Sequence, residues 1–302
     1  MTANNTTTFE SIVEPIKIRI DKQLVTLIEN YPSAAEQLKD AMHYSLLNGG
    51  KRMRPALISI VGDMLGSEQQ DTDIAGMAIE CIHAYSLIHD DLPAMDDDDI
   101  RRGKPTNHIK YGDATAILAG DALQTLAFEI IADHKMSRFG DRKRIKLVSL
   151  LAKASGLSGM CAGQSIDLIS TGKDIELTLL SQLHQLKTGA LIKASVLMAA
   201  ALSPDTSPDD LSQLAVFADK IGLAFQVQDD ILDVTGDSSI LGKPQGSDVR
   251  LNKNTYVSHL TLQGAQEYLR ELHDEALQAL NRLPYNTSQL EAFTHYLVNR
   301  NH

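Results

Sequence analysis

Residues 74–89 read IAGMAIECIHAYSLIH, and Glu80 is their only acidic or basic side chain other than histidine. In a helix built from this stretch, apolar side chains lie on every face. Helices of this kind are normally surrounded by other helices, because no face can be left to water. The stretch therefore predicts a buried helix packed inside a helical protein.

The rest of the chain continues the helical pattern. Apolar residues recur every three or four positions, and no run of strict alternation lies between turn residues. We predict an all-α fold and a single domain over residues 1–302. Pro15 is the one proline inside a predicted helix, where it either kinks the helix or marks its start. The predicted helices cover roughly 10–30, 34–47, 55–66, 72–92, 112–133, 141–163, 174–202, 208–234, 255–282 and 288–299.

The composition limits the partners and the location. A net charge of −11 over 302 residues argues against a nucleic-acid partner, because no basic stripe offsets the repulsion from phosphate. Cys81 and Cys161 are the only cysteines, so no disulfide framework or thiolate metal site is expected, and we predict a cytoplasmic protein. The N-terminus MTANNTTTFE lacks signal-peptide features, and the most apolar stretch, 191–202, is too short to span a bilayer. We therefore expect neither export nor membrane insertion.

The buried stretch runs directly into an acidic segment, HDDLPAMDDDDIRRGKPTNH, residues 89–108. Asp90 and Asp91 fall where the helix dipole is negative, so both carboxylates need a cation nearby. Pro93 cannot continue the helix, and the resulting bend can return Asp96 towards Asp90. Hard oxygen ligands in this spacing suit Mg²⁺, which binds through a few carboxylates plus substrate phosphates.

A second apolar helix closes in the same way, at FQVQDDILD, residues 225–233. Asp229 and Asp233 are four positions apart and share a helix face with Gln226, and Asp230 lies between them. Either acidic run by itself is typical of a solvated surface. Two such runs, each ending an apolar helix, indicate a metal site between inward-facing helices.

Basic side chains accompany both acidic clusters. GGKRMRP, residues 49–55, puts Lys51, Arg52 and Arg54 on a turn before a proline that can open a helix, which suits an anion, although a basic surface turn has the same appearance. His83 shares a helix face with Asp90 and is either a site residue or a core histidine. Arginine binds phosphate bidentately and lysine as a point charge. The remaining candidates are Arg101, Arg102, Lys187, Lys243 and Lys253.

These motifs resemble, in chain order, those of the trans-isoprenyl diphosphate synthases. The resemblance runs from about Tyr44 to Lys253, and the inserted Pro93-Ala94 makes it closest to the bacterial farnesyl diphosphate synthases. It implies a bundle of ten or more helices around a central cavity, the isoprenoid synthase fold, in a homodimer. It also implies an enzyme that uses three Mg²⁺ ions, or Mn²⁺, to condense isopentenyl diphosphate with an allylic diphosphate. The motifs are GGKRMRP, DDLPAMDDDDIRRGKPTNH, GQSIDL, KTG and FQVQDDILDVTGD followed by GKPQGSD.

The resemblance also implies a role for each matching residue. Two Mg²⁺ ions are held by Asp90, Asp91 and Asp96, and a third by Asp229 with Asp230 and Asp233. The allylic diphosphate is bound by Arg101, Lys187 and Lys243. Isopentenyl diphosphate is bound by Lys51, Arg54, His83 and Arg102, and Lys253 is a further substrate-binding residue. Thr188 and Gln226 lie along the developing carbocation, and Arg300 matches a basic C-terminal residue at the isopentenyl site.

Other activities share part of this pattern. A terpene cyclase is disfavoured, because its second metal motif typically mixes Asn, Ser or Thr with Glu, and this chain has a second Asp motif. A non-catalytic partner subunit usually lacks one Asp motif. A geranylgeranyl diphosphate synthase remains the close rival, since it differs mainly in product length. Tyr85, beside the small Ser86, is the residue that we expect to limit the product, unless Tyr85 is simply a core aromatic.

Overall fold

The computed structural model describes residues 9–236 and 253–300. It is 76% helical, so the all-α prediction is confirmed. The helix α1 runs through Pro15 without interruption. In chain order the described helices are α1 (Phe9–Asn30), α2 (Glu36–Leu46), α3 (Met53–Met64), α4 (Gln69–Asp90), α5 (Asn107–Tyr111), α6 (Asp113–Asp133), α7 (Arg138–Asp141), α8 (Arg144–Ser155), α9 (Met160–Ser170), α10 (Leu177–His184), a π-helical turn (Gln185–Gly189), α11 (Ala190–Ala201), α12 (Pro208–Thr235), α13 (Tyr256–Leu280) and α14 (Ser288–Asn299).

The chain divides into two compact units, Met1–Val148 and Ser149–His302, and α8 contains the boundary. The single domain over residues 1–302 stays a prediction. In the first unit, α4 packs against α3 and α6. Its apolar side chains are buried on all sides, as residues 74–89 predict. The contact with α6 is close because Gly120 has no side chain: a Cβ there would lie 2.1 Å from Nε2 of His89.

A short β-hairpin follows α4 and was not predicted from the sequence. Its strands are β1 (Ile100–Arg101) and β2 (Lys104–Pro105), which pair antiparallel. The two residues between them, Arg102 and Gly103, both have positive φ, 54° and 74°. Two-residue hairpin turns favour this backbone because it matches the twist of the strands. Strands this short leave no alternating pattern in the sequence, which is why the pattern analysis missed them.

In the second unit, α12 packs against α11, α13 and α14. The two long helices α12 and α13 each begin with a capping box, Ser207 with Asp210 and Thr255 with Ser258. In each box the two residues satisfy backbone N–H groups that the first helical turn leaves without partners. The capping boxes therefore define where both helices start.

The prediction of one helix over 141–163 is wrong. Helix α8 ends at Ser155 and α9 begins at Met160. The connecting chain turns tightly at Gly159, where a Cβ would lie 2.1 Å from the carbonyl oxygen of Ala154. Only glycine fits this approach, so the break is a local steric effect that apolar spacing does not reveal.

Two segments are longer than the apolar stretch 191–202 and are apolar over most of their length. The segments Asp113–Asp133 and Arg144–Ser170 are long and apolar enough to cross a membrane by length and composition alone, with 44% and 33% of their most apolar windows buried. Neither segment was identified as a possible span from the sequence. This is weak evidence for a membrane span, because core helices pass the same test, and α6 (Asp113–Asp133) packs on α4.

Candidate active site

The first Asp motif folds back on the end of α4. Asp90 is the last residue of α4, and the chain turns through Pro93. The backbone N–H of Asp96 donates to the carbonyl oxygen of Asp90 at 2.9 Å, and that of Asp98 donates to the carbonyl of Asp91 at 3.2 Å. The predicted bend is therefore confirmed. It brings Asp96 to the same helix end as Asp90.

Asp91 has a different environment from Asp90. Its side chain is buried, and both carboxylate oxygens accept from Arg101, with Nε at 2.8 and 3.0 Å and Nη2 at 2.5 Å. Burial raises the pKa of Asp91, and the bonds from Arg101 oppose that rise. In this structure Asp91 anchors Arg101 to the end of α4. Its role as a metal ligand stays a prediction, and it requires Asp91 to share its oxygens with Arg101.

Two arginines and a histidine lie close together beside the first Asp motif in the first unit: Arg54, Arg102 and His83. Burial lowers the pKa of His83 well below its ordinary value, and Arg54 and Arg102 lower it further, so the ring is neutral at physiological pH. Burial and the charge of Arg102 also lower the pKa of Arg54. Nε of Arg54 is buried and has no hydrogen-bond partner among the described residues. Two arginines that repel each other, one of them with an unpartnered buried N–H, suit an anionic ligand.

Arg52, between Lys51 and Arg54, is a structural residue. Its side chain is 2% exposed and donates to Asp21 and Glu80, each at 2.6 Å, and to the carbonyl of Leu46 at 2.6 Å. The sequence signal for this contact was Glu80, because a single carboxylate in an apolar helix needs a buried cationic partner. Lys51 is exposed on the same turn.

In the second unit, Lys187 and Thr188 lie in the π-helical turn Gln185–Gly189. Nζ of Lys187 donates to Oδ2 of Asp167 on α9 at 2.6 Å. Helix α9 approaches this turn at Gly163, where a Cβ would lie 2.2 Å from the backbone nitrogen of Lys187. Asp167 was not selected from the sequence as a site residue, although it is the acidic residue of the quoted motif GQSIDL. The structure places it as the partner that orients Lys187.

The second Asp motif lies within the last turns of α12. The carboxylate of Asp230 is buried, and it accepts from Nε2 of Gln226 at 3.1 Å and from the backbone N–H of Tyr256 at 2.7 Å. Oγ1 of Thr188 donates to Oε1 of Gln226 at 3.4 Å, so the two predicted carbocation residues are brought together. Asp233 is also buried. Asp229 is the most exposed carboxylate of the three and the best placed to meet a ligand.

Arg300 contacts Asp229 in the structure. Its Nη2 donates to Oδ1 of Asp229 at 2.6 Å and to the carbonyl of Phe225 at 2.9 Å, and its guanidinium lies 4.1 Å from the centre of the Phe225 ring. Nε2 of Gln228 donates to the carbonyl of Arg300 at 3.0 Å. The place of Arg300 at the isopentenyl site stays a prediction, and in this structure its guanidinium is engaged by the second Asp motif.

The remaining predicted residues that the structure describes are Tyr85, Ser86 and Lys253. Tyr85 is 5% exposed, and its ring meets that of His89 edge-on, with centroids 5.7 Å apart. Ser86 donates to the carbonyl of His83 in its own helix at 2.8 Å. Lys253 is half-buried just before α13. Lys243 and the motif GKPQGSD lie outside the described residues.

The carboxylates suit Mg²⁺ better than a metal that needs a complete protein cage. Within residues 9–236 and 253–300, no three Asp, Glu, His or Cys side chains form a group that could hold a metal ion. Mg²⁺ keeps several waters and binds through one or two carboxylates together with substrate phosphates. Asp90 and Asp96, held at one helix end, provide such a partial set of hard oxygen ligands.

Comparisons with known proteins show which family the chain belongs to. The polyprenyl synthetase family model matches residues 35–290 and so extends over both units. The farnesyl diphosphate synthases of Escherichia coli and Haemophilus influenzae are 49% and 47% identical; the alignments cover 97% of this chain in both cases, and 99% and 98% of those proteins. The crystal structure of an FPP/GFPP synthase from Zymomonas mobilis has a TM-score of 0.85 and 35% identity, covering 96% of this chain and 98% of that one. The chain therefore belongs to the polyprenyl synthetase family.

Proposed function

We propose that this protein is a short-chain prenyltransferase that condenses isopentenyl diphosphate with dimethylallyl and geranyl diphosphate to give farnesyl diphosphate. The observation that carries the proposal is that the first unit contains both a carboxylate motif and a separate basic group, formed by the charged Arg54 and Arg102 with the neutral His83. The first suits a metal-bound diphosphate and the second suits a diphosphate bound directly. Full-length similarity to farnesyl diphosphate synthases supports the same substrates.

Carboxylates and cations of the site are proposed to act on the departing diphosphate. Mg²⁺ ions, when bound through Asp90, Asp96 and Asp229, supply charge stabilisation for the diphosphate that leaves the allylic carbon. Arg101 and Lys187, each hydrogen-bonded to an aspartate, are the cations proposed to stabilise the developing negative charge.

The organic fragment left behind is a delocalised allylic cation that water would quench, so it needs an apolar surrounding. The oxygen atoms of Thr188 and Gln226 are the polar groups proposed to lie along it. The double bond of isopentenyl diphosphate then attacks the cation, and the departing diphosphate takes the proton that is lost.

The decisive test is a product assay. The protein is incubated with labelled isopentenyl diphosphate and dimethylallyl, geranyl or farnesyl diphosphate, and mass spectrometry gives the chain length. We expect a fifteen-carbon product from the first two allylic substrates. A twenty-carbon product would instead identify a geranylgeranyl diphosphate synthase, no transfer would indicate a non-catalytic partner subunit, and a cyclic hydrocarbon would indicate a terpene cyclase.

Product formation should require Mg²⁺ or Mn²⁺. The described carboxylates do not form a complete cage, so the ion must be shared with substrate phosphate and should be removed easily by a chelator. In the same assay, excess EDTA should abolish turnover and added Mg²⁺ should restore it. Undiminished turnover in the chelator would eliminate the metal mechanism.

The variants Lys51→Ala and Arg54→Ala should mainly weaken the binding of isopentenyl diphosphate. Arg54 lies beside His83 and Arg102, and losing one charge-assisted phosphate contact should raise the KM for that substrate by roughly tenfold or more. Steady-state kinetics with each substrate varied in turn gives the comparison. Lys22→Ala, an exposed lysine on α1, is the control and should change neither KM. An effect limited to the allylic substrate would reverse the assignment of the two diphosphate sites.

We further propose a homodimer in the cytoplasm. Helix α6 leaves two adjacent large apolar side chains exposed, Ile117 at 44% and Leu118 at 55%. Exposed apolar neighbours of this kind are typical of a surface that a second copy covers. Analytical ultracentrifugation should give twice the chain mass, and a monomer at micromolar concentration would contradict the proposal.

A further inference from the structure

Tyr256 connects three parts of the candidate site in the second unit. It is the first residue of α13 and is fully buried. Its backbone N–H donates to Oδ2 of Asp230 on α12 at 2.7 Å. Its hydroxyl donates to Oγ of Ser181 on α10 at 3.2 Å, and its ring lies on that of His184, with centroids 5.5 Å apart.

Together with the chain itself, these contacts form a closed circuit. From Tyr256 the path passes to Asp230, then to Gln226, and then to Thr188 through hydrogen bonds of 2.7, 3.1 and 3.4 Å. Thr188 lies in the π-helical turn that directly continues α10, and α10 carries Ser181 and His184 back to Tyr256. This circuit of contacts therefore joins α12, α13, α10 and the π-helical turn.

His184 takes part in this circuit as a neutral aromatic side chain. Burial lowers its pKa to about 4, and the charge of Lys187 acts in the same direction. Neither ring nitrogen has a hydrogen-bond partner among the described residues. The contact with Tyr256 is therefore a packing contact between rings, and it adds no charge beside Lys187.

The π-helical turn needs support from outside itself. Single π-helical turns are rare and occur often at functional sites, where the irregular backbone aims particular side chains. Here the turn carries Lys187 and Thr188, one for the allylic diphosphate and one for the carbocation. Asp167 orients the end of the Lys187 side chain, and the backbone of the turn packs on α9 at Gly163 and on α12 at Gly222. Within this packing, the hydrogen bonds that run from Tyr256 through Asp230 and Gln226 hold the side chain of Thr188.

We propose that Tyr256 is a positioning residue of the allylic half of the site. It holds the π-helical turn in its position relative to Gln226 and Asp230, and it does not touch substrate. This inference rests on the proposed function, because it assigns Lys187, Thr188 and Gln226 to the allylic substrate. Small displacements of positioned groups have large kinetic effects. The contribution of Tyr256 should therefore be measurable in the kinetics of the allylic substrate.

The test compares Tyr256→Phe, Ser181→Ala and the double variant with wild type. Each single variant removes the same hydrogen bond and leaves the backbone N–H to Asp230 in place. The KM for geranyl diphosphate should rise by roughly three- to tenfold, with the KM for isopentenyl diphosphate unchanged. The double variant should be no worse than Ser181→Ala, because that single variant already removes the hydrogen bond that Tyr256→Phe removes.

Tyr285→Phe is the matched control. Its hydroxyl donates to Asp210 at 3.0 Å, at the opposite end of the same helix α12. This variant should lower the melting temperature by a similar amount and leave both KM values unchanged. Equal shifts in the two KM values, no shift at all, or additive effects in the double variant would overturn the positioning role. Absence of prenyl transfer by the wild type would overturn the proposed function instead.

Discussion

Asp90→Ala and Asp229→Ala should each lower turnover by on the order of a hundred- to a thousandfold, with the helical circular dichroism retained. Each variant removes a predicted ligand for the ions that stabilise the departing diphosphate. Asp90 lies at the negative end of the α4 dipole, beside Asp91 and Asp96. Removing one of these like charges relieves repulsion, so the fold should not be lost.

The two variants should differ slightly in stability. Asp229 accepts from Arg300, and its loss leaves a mostly buried guanidinium without that partner. Because the Asp229 side chain is 40% exposed, solvent screening keeps the expected cost to about 1 kcal/mol. Asp229→Ala should therefore melt a few degrees below Asp90→Ala.

Controls come from exposed aspartates in the same elements. Asp99→Ala changes the run that follows Asp90, and Asp209→Ala changes the first turn of α12, far along the helix from Asp229. Both should keep near-normal turnover. Normal turnover in Asp90→Ala or Asp229→Ala would show that other carboxylates bind the metal.

Tyr85→Ala should change the product from farnesyl towards geranylgeranyl diphosphate. A chain anchored by its diphosphate at Asp90 grows back along α4, and Tyr85 lies five residues earlier, about 7.5 Å at a rise of ~1.5 Å per residue. Its buried phenol ring should form the floor of the space for the chain. Removing it should admit at least one more five-carbon unit, which mass spectrometry of the products measures directly.

Tyr85→Phe is the control, since it keeps the ring and its edge-on contact with His89. It should still stop at fifteen carbons. If Tyr85 is instead an ordinary core aromatic, Tyr85→Ala should cost roughly 3 kcal/mol in unfolding free energy and leave product length unchanged. A destabilised variant that still makes farnesyl diphosphate would place the chain-length limit elsewhere.

Several site contacts could not be predicted because they depend on local turns and on helix packing that leave no periodic signal in the sequence. Asp91 and Arg101 are close in sequence, yet their pairing depends on the hairpin Ile100–Pro105, which leaves no periodic pattern. Asp167 meets Lys187 only because α9 packs on the π-helical turn at Gly163. Apolar spacing predicts which face of a helix is buried, and it does not predict which charged residue that face will meet.

The sequence by itself determined the helical class, the buried helix at residues 74–89, the two Asp motifs and the turn that returns Asp96 to Asp90. These features follow from local rules, namely periodicity, proline geometry and the helix dipole. Only the tertiary structure decided that Arg52 pairs with Asp21 and Glu80, that Arg300 contacts Asp229, and that Tyr256 joins Asp230 to α10. The physical reason is burial: a desolvated charge or N–H takes whichever partner packing brings within reach, and that partner can be any distance away along the chain.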